Sequence, residues 1–225
     1  MRAPISVIIP TLDCAASLGP TLACAFDGMM AGLVGEVVLA DGGSTDGIAE
    51  VARETGARLV SGPRGRGAQL AAGAEAATGD WFLFLHADTT LSPGWQDTLR
   101  SHITTQGTAA HFRLRFDDPG APARLVAGWA NLRSRLFSLP YGDQGLLISR
   151  ALYTSIGGYP AIPLMEDVAI ARALRGQLTA LPVTATTSAA KYHRDGWTRR
   201  GTRNLWLLTR YLLGADPEAL ARAYR

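Results

Sequence analysis

The sequence predicts an α/β protein built on a mostly parallel sheet flanked by helices. In the first half of the chain, short runs of β-branched and aromatic residues alternate with helix-like stretches, the pattern of repeated βα units. The runs Val7–Ile9 and Phe82–Leu85 are apolar throughout, as expected of strands covered on both faces. No linker rich in Ser, Pro or Gly interrupts the 225 residues, so we expect one domain over residues 1–225.

Residues 1–90 are expected to form the regular part of the sheet, of the kind that binds nucleotides. The predicted strands are Ile5–Ile9, Glu36–Ala40, Arg58–Val60 and Trp81–Leu85. The predicted helices between them are Ala15–Met30, Thr45–Glu54 and Gly67–Ala77. The last of these helices is rich in alanine, which suits close packing on a sheet.

Residues 91–225 are less regular and are expected to add further elements to this sheet. The predicted helices are Pro93–His102, the amphipathic stretch Ala121–Phe137, a short helix from Ala151, another from about Met165, and terminal helices at Thr198–Leu213 and Pro217–Tyr224. The predicted strands are His111–Phe116, Gly145–Ser149 and Leu181–Ala185.

Composition excludes several classes of protein. The formal charge is only +3, and the first two thirds of the chain contain no basic run, which fits a small anionic ligand better than a nucleic acid. Arginines gather from Arg194 to Arg210, where they could face phosphates or acidic lipid, or form a solvated helix face. The two cysteines, Cys14 and Cys24, can build neither a disulfide framework nor a four-ligand zinc site, so we expect a cytoplasmic protein.

Neither a secretory signal nor a membrane-spanning segment is expected. The N-terminal residues lack a long apolar region followed by a cleavage site. Arg210 interrupts the apolar stretch Leu205–Leu213, so no run reaches the roughly 18 residues of a spanning helix. The terminal helix, with Trp206 and Tyr211, could contact the inner face of a membrane as a peripheral surface, or pack on the core instead.

Polar residues follow three of the predicted strands where each strand ends. They are Thr11 and Asp13 after the first strand, Asp41 after the second, and His86 and Asp88 after the fourth. Ligands of an open parallel sheet bind at the carboxyl ends of its strands. Acidic groups that converge there repel one another unless a cation or hydrogen-bond donors intervene, which points to a bound metal or a ribose.

The segment Asp41–Gly47 combines a strand-end carboxylate with two glycines and a Ser/Thr helix cap. In the functional interpretation, Asp41 accepts hydrogen bonds from a nucleoside and Gly42 lets the backbone approach the ligand. In the structural interpretation, the segment is a tight turn with an N-cap, which leaves Asp41 without a task.

Asp88 follows the most apolar strand and is the predicted ligand of a divalent metal. A carboxylate in this position can hold Mg²⁺ or Mn²⁺ whose other ligands are diphosphate oxygens and water. The alternative is a helix cap, although Ser92 and Pro93 already supply a helix start. His86 is as readily explained as a packed, hydrogen-bonded histidine.

Basic residues that could meet a phosphate occur in two further segments. Arg64 and Arg66 precede the alanine-rich helix, whose N-terminus could bind a phosphate, although an exposed glycine-rich turn looks similar. Lys191 and His193 offer a cation for a diphosphate and a metal ligand, and a solvated basic loop is the alternative.

Glu166 and Asp167 are adjacent carboxylates at a predicted helix start. They could simply complement the helix dipole. The apolar approach from Ile162 to Met165 instead predicts a partly dry setting, in which a carboxylate serves as a general base. We assign that role to Asp167.

In the order and spacing of its motifs, the chain resembles the family 2 glycosyltransferases of the GT-A fold, and more narrowly the bacterial group labelled rSAM/selenodomain-associated transferase 2. The matching stretches are Ser6–Leu12, Asp41–Gly47, Gly62–Arg66, Phe84–Thr89, Asn131–Arg135, Gly142–Gln144 and Pro163–Asp167. Any one of them is a weak pattern, and together they span nearly the whole chain.

This resemblance implies an inverting sugar transfer from a nucleotide-sugar, with Mn²⁺ or Mg²⁺, to an unidentified acceptor that is either small or lipid-linked. Residues 91–225 then form the acceptor half. Asp167 is implied as the base with Glu166 in support, Asp88 as the last carboxylate of a degenerate D-x-D metal motif, and His193 as a second metal ligand. The implied nucleotide-sugar contacts are Pro10, Thr11, Asp13, Asp41, Gly42, Arg66, His86, Ala87 and Lys191.

Three positions depart from the family pattern. Asp13-Cys14 replaces the usual Asn-Glu, His86 replaces the first carboxylate of D-x-D, and His193 stands where close relatives have Glu. Two other classes compete with a glycosyltransferase. A nucleotidyltransferase usually has a basic glycine-rich loop near its N-terminus, which the segment after Pro10 lacks. A nucleotide-sugar-binding protein without catalysis shares the same strand-end residues.

Overall fold

The computed structural model describes residues 3–224, which contain eight strands and ten α-helices. The strands are β1 (Ile5–Thr11), β2 (Val34–Asp41), β3 (Arg58–Ser61), β4 (Trp81–Phe84), β5 (Thr89–Leu91), β6 (Ala109–Phe116), β7 (Leu146–Ser149) and β8 (Leu178–Thr187). All eight belong to one sheet in the order β3-β2-β1-β4-β7-β6-β8-β5. This arrangement confirms the predicted α/β class.

The helices cover the sheet and build its edges. They are α1 (Ala15–Met30), α2 (Ile48–Thr55), α3 (Arg66–Ala76), α4 (Trp95–Thr105), α5 (Ala121–Phe137), α6 (Arg150–Ser155), α7 (Glu166–Ala173), α8 (Ala190–Asp195), α9 (Trp197–Leu212) and α10 (Pro217–Tyr224). A 3₁₀ turn, Gly142–Gln144, precedes β7. Over the described part of the chain, no helix is long and apolar enough to cross a membrane.

The direction of the strands places the predicted site residues at one edge. Strands β3, β2, β1 and β4 are parallel, so their carboxyl ends lie together. Thr11 and Asp41 are register partners at the ends of β1 and β2. Strand β7 runs antiparallel to β4, and β6 runs antiparallel to β7 and parallel to β8. The first half is therefore parallel as predicted, whereas the second half is mixed.

Both faces of the central strands are buried, which explains their unbroken apolar sequence. Val7 and Leu83 pack into the core on one face of the sheet, together with α1 and α4. Ile8, Phe82 and Phe84 pack on the other face, against α3 and α6. Adjacent residues of a strand point to opposite faces, so both layers must supply apolar partners.

The structure corrects the sequence prediction in three places. The second helix begins at Ile48 rather than Thr45, because Gly47 adopts a left-handed conformation (φ 86°) that delays the helix. Thr89–Leu91 forms a short strand that pairs with β8. The segment around Lys191 and His193, for which a solvated basic loop was one of the two alternatives, is the six-residue helix α8.

Candidate active site

Two cavities open at the carboxyl edge of the parallel strands and meet at four residues. The larger cavity, about 470 Å³, is bounded by the ends of β1 and β4 and the start of α3. The smaller cavity, about 140 Å³, lies between the 3₁₀ turn, α7, α8 and α9. The four residues that line both cavities are Arg66, His86, Asp88 and Lys191. All four are site residues predicted from the sequence.

Asp88 lies at this junction, and each of its two carboxylate oxygens has one long contact with a neighbouring side chain. Thr187 Oγ1 donates to Asp88 Oδ1 at 3.3 Å, and Lys191 Nζ stands 3.8 Å from Asp88 Oδ2. The Asp88 side chain is 21% exposed, so the carboxylate is reachable from both cavities. A carboxylate with accessible oxygens is a suitable ligand for a hard divalent cation.

His86 is the second group from the loop after β4. Its Nε2 is shielded from solvent and has no hydrogen-bond partner within residues 3–224. Burial, together with the Arg66 and Lys191 cations, lowers the pKa of His86 well below its ordinary value, so the imidazole is neutral. A Cβ added at Gly142 would lie 2.6 Å from His86 Nε2, so a larger residue at this position would displace the ring.

Glu166 is the most deeply buried acid of the smaller cavity. Its side chain is only 4% exposed, and its Oε1 stands 3.7 Å from Arg66 Nη1. Burial raises the pKa of Glu166 to about 7, the negative charge of Asp167 adds to the shift, and Arg66 opposes it. The buried Glu166 carboxyl therefore keeps its proton to a higher pH than an exposed glutamate does.

Asp167 begins the same helix and faces the 3₁₀ turn. Asp167 Oδ2 accepts a hydrogen bond from the Gly142 backbone N–H at 3.0 Å, and Asp167 Oδ1 accepts one from Val168 N at 2.8 Å. Both bonds fix the carboxylate at the wall of the smaller cavity while leaving lone pairs for a ligand. The sequence prediction of two acids at a helix start in a partly dry setting is confirmed in its geometry.

Asp143 is a third acid of the smaller cavity, in the Gly142–Gln144 turn that we expected on the acceptor side. Burial raises the pKa of Asp143 to about 6, while the Arg133 charge acts in the opposite direction. Asp143 Oδ1 is shielded from solvent and, among the described residues, has no hydrogen-bond partner. The smaller cavity therefore contains a carboxyl oxygen, Asp143 Oδ1, to which no described residue donates a hydrogen bond.

Asp41 is placed differently from the prediction. Asp41 Oδ2 accepts from the backbone N–H groups of Gly43 and Ser44, each at 2.9 Å, and Asp41 Oδ1 accepts from Thr11 Oγ1 at 3.1 Å and from Ser44 Oγ. Asp41 and Gly42 line neither of the two cavities. These contacts give Asp41 the task of holding the turn, so its nucleoside contact stays a prediction that requires one of these bonds to open.

Other predicted nucleotide contacts do line the larger cavity. They are Pro10, Thr11, Asp13 and Ala87. Asp13 has left-handed backbone (φ 46°), and its Oδ1 accepts a hydrogen bond from Thr45 N at 2.8 Å. Gln69 also lines the cavity and donates to Thr11 O at 2.6 Å, a contact that the sequence pattern of an alanine-rich helix did not indicate.

His193, which was predicted as a second metal ligand beside Asp88, lies outside the two cavities. His193 Nε2 instead stands 2.9 Å from Asp118 Oδ2, and the His193 ring packs on Trp197. His193 lines neither cavity, so this arrangement does not support the predicted metal role. The helix α8 is the physical reason, because it turns Lys191 and His193 in different directions.

The sequence analysis missed the aromatic and polar walls of the smaller cavity. These residues are Phe116, Tyr141, Tyr192, Arg200, Asn204 and Tyr224. They come from separate elements along the second half of the chain, so no local motif marks them. The only available signal was the concentration of aromatic and basic residues near the C-terminus.

The fold and site define an α/β enzyme in which a strand-end cavity adjoins a smaller, acidic one. The sequence matches the Glycosyl transferase family 2 model over residues 6–145, more than half of the chain. The chain therefore belongs to glycosyl transferase family 2 and is a glycosyltransferase. A comparison with curated proteins found no match.

Solved structures share this fold. Glucosyl-3-phosphoglycerate synthase from Mycobacterium tuberculosis, in complex with Mn²⁺, UDP and glucosyl-3-phosphoglycerate, is 24% identical, with a TM-score of 0.56 over 82% of this chain and 70% of that chain. The same values describe its complex with Mn²⁺, UDP-glucose and phosphoglyceric acid. Its complex with Mg²⁺ and UDP is 22% identical, with a TM-score of 0.56 over 82% and 69% of the two chains. The protein has the GT-A fold that we expected.

Proposed function

We propose that the protein transfers a sugar from a nucleoside-diphosphate sugar to an acceptor hydroxyl, with inversion at the anomeric carbon, and acts as one domain. The observation that carries this proposal is the junction of the two cavities at Arg66, His86, Asp88 and Lys191. The nucleoside occupies the larger cavity and the acceptor enters the smaller one. The diphosphate then lies between them, beside two cations.

A divalent cation, Mn²⁺ or Mg²⁺, fits the donors at this junction. Among residues 3–224, no three His, Cys, Asp or Glu side chains form a complete metal cage. Mg²⁺ ions at phosphate sites are commonly held by one or two carboxylates plus substrate oxygens and water, and Asp88 supplies such a carboxylate. Asp88 is therefore the proposed ligand, with the unpartnered His86 Nε2 as its neighbour. Such a cation, when bound, neutralises diphosphate charge.

The donor class is supported by the similar fold of the mycobacterial synthase, which was crystallised with UDP-glucose and Mn²⁺. In the present chain, Pro10, Thr11, Asp13 and Ala87 are the proposed nucleotide contacts of the larger cavity. Arg66 and Lys191 are proposed to hold the negative charge that develops on the leaving diphosphate. Both are partly exposed, with side chains 43% and 51% accessible, so an incoming diphosphate can reach them.

Asp167 is the proposed general base. Its carboxylate is held by Gly142 N and Val168 N at the wall of the acceptor-side cavity, where it can take the proton from an acceptor hydroxyl. Glu166 is proposed to position Arg66 through the contact of 3.7 Å between them. General-base assistance contributes roughly 10² to 10⁴ in rate.

The test of the metal assignment is binding of UDP, GDP and dTDP to Asp88→Ala with and without Mn²⁺, by calorimetry. Loss of the metal-dependent part of the affinity is expected. Asp27→Ala, which removes an exposed carboxylate of α1, is the matched control and should bind as the wild type. Unchanged metal dependence in Asp88→Ala would remove Asp88 from the site.

The base assignment is tested separately with Asp167→Asn. This variant should keep donor affinity and lose roughly 10² to 10⁴ in turnover, measured as transfer or as slow hydrolysis of the nucleotide-sugar. A large loss of nucleotide affinity instead would contradict a base role. Metal-dependent hydrolysis by the wild type also separates an enzyme from a protein that only binds nucleotide-sugars.

We further propose that the chain falls in the bacterial rSAM/selenodomain-associated transferase 2 group and works in the cytoplasm. The motifs Gly62–Arg66, Gly142–Gln144 and Pro163–Asp167 support the group. The acceptor is a hydroxyl compound, either small or lipid-linked. Phosphoglyceric acid, found with the mycobacterial synthase, is an example of a small acceptor in a protein of this fold.

A further inference from the structure

The exposed apolar side chains of the protein are concentrated on α5 and α9, two helices in contact with each other. Of the eleven large apolar side chains exposed in residues 3–224, nine lie on these helices or directly after α9. They are Leu125, Trp129, Leu132, Leu136, Phe137, Leu205, Trp206, Leu212 and Leu213. Single exposed apolar residues are normal, whereas a cluster marks an interaction surface.

On α5 the large apolar residues form one stripe on the outer face. Leu125, Trp129, Leu132 and Leu136 have the spacing i, i+4, i+7 and i+11, so they share one side of the helix. Their exposure ranges from 45% to 74%. The buried side of α5 is instead lined with alanines, Ala123, Ala127 and Ala130. The helix therefore packs on the protein through small residues and presents its large ones outwards.

This surface is also basic. Helices α5 and α9 contain seven arginines and neither Asp nor Glu; Arg133 is buried, and Arg200 and Arg203 pair with Asp195 of α8. Arg124 and Arg135 are exposed on α5, and Arg199 and Arg210 are exposed on α9. Long basic side chains beside an apolar stripe can keep their charges in the headgroup layer of a bilayer while the stripe inserts.

A groove of about 320 Å³ beside α5 adds further positive charge. Arg113 and Arg115 of β6 and Arg124 of α5 line this groove. Its acidic residue, Asp118, is engaged by His193 Nε2 at 2.9 Å. Three guanidinium groups beside one carboxylate leave an excess of positive charge, which suits the negative charge of phosphate groups.

We propose that the face formed by α5, α9 and this groove docks on a bilayer surface that contains anionic lipids. The stripe inserts among the headgroups, and the arginines contact lipid phosphates. The inner side of α9, through Arg200, Asn204 and Leu207, lines the smaller cavity, so docking through the outer side of α9 places this cavity one helix away from the membrane. This proximity favours a lipid-linked acceptor over a small one, a step that rests on the proposed function.

Vesicle flotation of the 225-residue protein tests the apolar part of this surface. The wild type should float with vesicles of phosphatidylcholine and phosphatidylglycerol, float poorly with phosphatidylcholine alone, and be released by high salt. Leu125→Glu/Leu136→Glu should lower the bound fraction about tenfold or more, because two inserted side chains become charged. Met30→Glu, at an apolar residue of α1 that is 88% exposed, is the matched control and should bind as the wild type.

A second pair of variants tests the groove. Arg113→Gln/Arg115→Gln/Arg124→Gln should reduce binding to the anionic vesicles about tenfold or more, since each basic residue near the surface contributes separately. The control variant replaces three exposed arginines outside the proposed docking face and so removes the same number of positive charges. It is Arg53→Gln/Arg172→Gln/Arg175→Gln. This control should bind within about twofold of the wild type.

Three results would overturn the proposal. They are a wild type that stays with the soluble fraction, equal losses in the two arginine triples, and a dimer in light scattering that Leu125→Glu/Leu136→Glu dissociates. The last result would assign the face to a second copy of the chain. Metal-dependent nucleotide binding is measured on every variant, so a failure of docking is distinguishable from a failure of the proposed function.

Discussion

Glu166 shows how the chemistry of a single residue depends on its surroundings. The sequence places it beside Asp167 at a helix start, and the fold buries it against Arg66. Burial raises its pKa from 4.5 to about 7. Between these two values the folded protein holds a proton that the unfolded chain releases. The contribution of Glu166 to stability is therefore lost as pH rises through this window.

Glu166→Gln tests this linkage. Relative to the wild type, the variant should be more stable at pH 8 than at pH 5, because glutamine carries no charge to desolvate. The shift in the pKa corresponds to at most ~3 kcal/mol, or roughly 6–12 °C in Tm for a chain of this length. Glu75→Gln, at an exposed glutamate of α3, should show no such pH dependence. An equal effect of Glu166→Gln at both pH values would contradict the raised pKa.

At the scale of elements, α3 is positioned by a small residue at its contact with the sheet. A Cβ added at Gly73 would lie 2.6 Å from Ile8 Cγ2 and 3.1 Å from the Ala40 Cβ. Ile8 is fully buried in β1, so it has no room to move away. This close approach sets the position of the α3 N-terminus, which carries Arg66 into the junction of the cavities.

Gly73→Ala should therefore destabilise the protein by about 1–3 kcal/mol, through overpacking. Gly128, in the middle of α5, has nothing within 4 Å of an added Cβ. Gly128→Ala should stabilise by roughly 0.5–1 kcal/mol, because alanine loses less backbone entropy in a helix. Urea unfolding measures both variants. Equal effects of the two substitutions would show that α3 does not pack as closely as described.

For the whole molecule, the junction of two cavities predicts that donor and metal bind together. Asp88 is the one carboxylate that we propose as a metal ligand, and the described residues contain no cluster of three potential ligands, so we expect most of the metal's ligands to come from diphosphate and water. A nucleoside diphosphate alone, or Mn²⁺ alone, should therefore raise Tm less than both together. At about 100 times Kd the pair should stabilise the fold by roughly 2.7 kcal/mol, or about 5–10 °C.

Thermal shifts with UDP, GDP and dTDP, each with and without Mn²⁺, measure this coupling and identify the base. In Asp88→Ala the increment from Mn²⁺ should disappear while a smaller shift from the nucleotide remains. Additive shifts from the metal and the nucleotide in the wild type would contradict joint binding.

The order of elements could be read from the sequence wherever a local pattern was long enough. The bounds of α1 and α5 agree with the prediction, because each is a long helical stretch with clear ends. The three-residue strand β5 and the six-residue helix α8 were missed, because segments this short are stabilised by their neighbours rather than by their own propensity.

The residues of the candidate site also fall into two groups, those that the sequence indicated and those that only the structure revealed. Strand-end position alone indicated Asp88, His86 and Thr11, since parallel strands bring their carboxyl ends to one edge. Arg66 was indicated by its position before a helix N-terminus, and Asp167 by the apolar approach to a helix start. Whether a carboxylate oxygen of the site is free to bind a ligand depends on its hydrogen-bond partners, which come from distant parts of the chain.

Only the tertiary structure showed that Asp41 is occupied by its own turn, that His193 turns to Asp118, and that Asp143 faces the smaller cavity. The aromatic wall and the exposed stripe of α5 were likewise decided by packing. Local sequence determines which elements form, whereas burial, hydrogen-bond partners and helix direction belong to contacts between residues far apart in the chain.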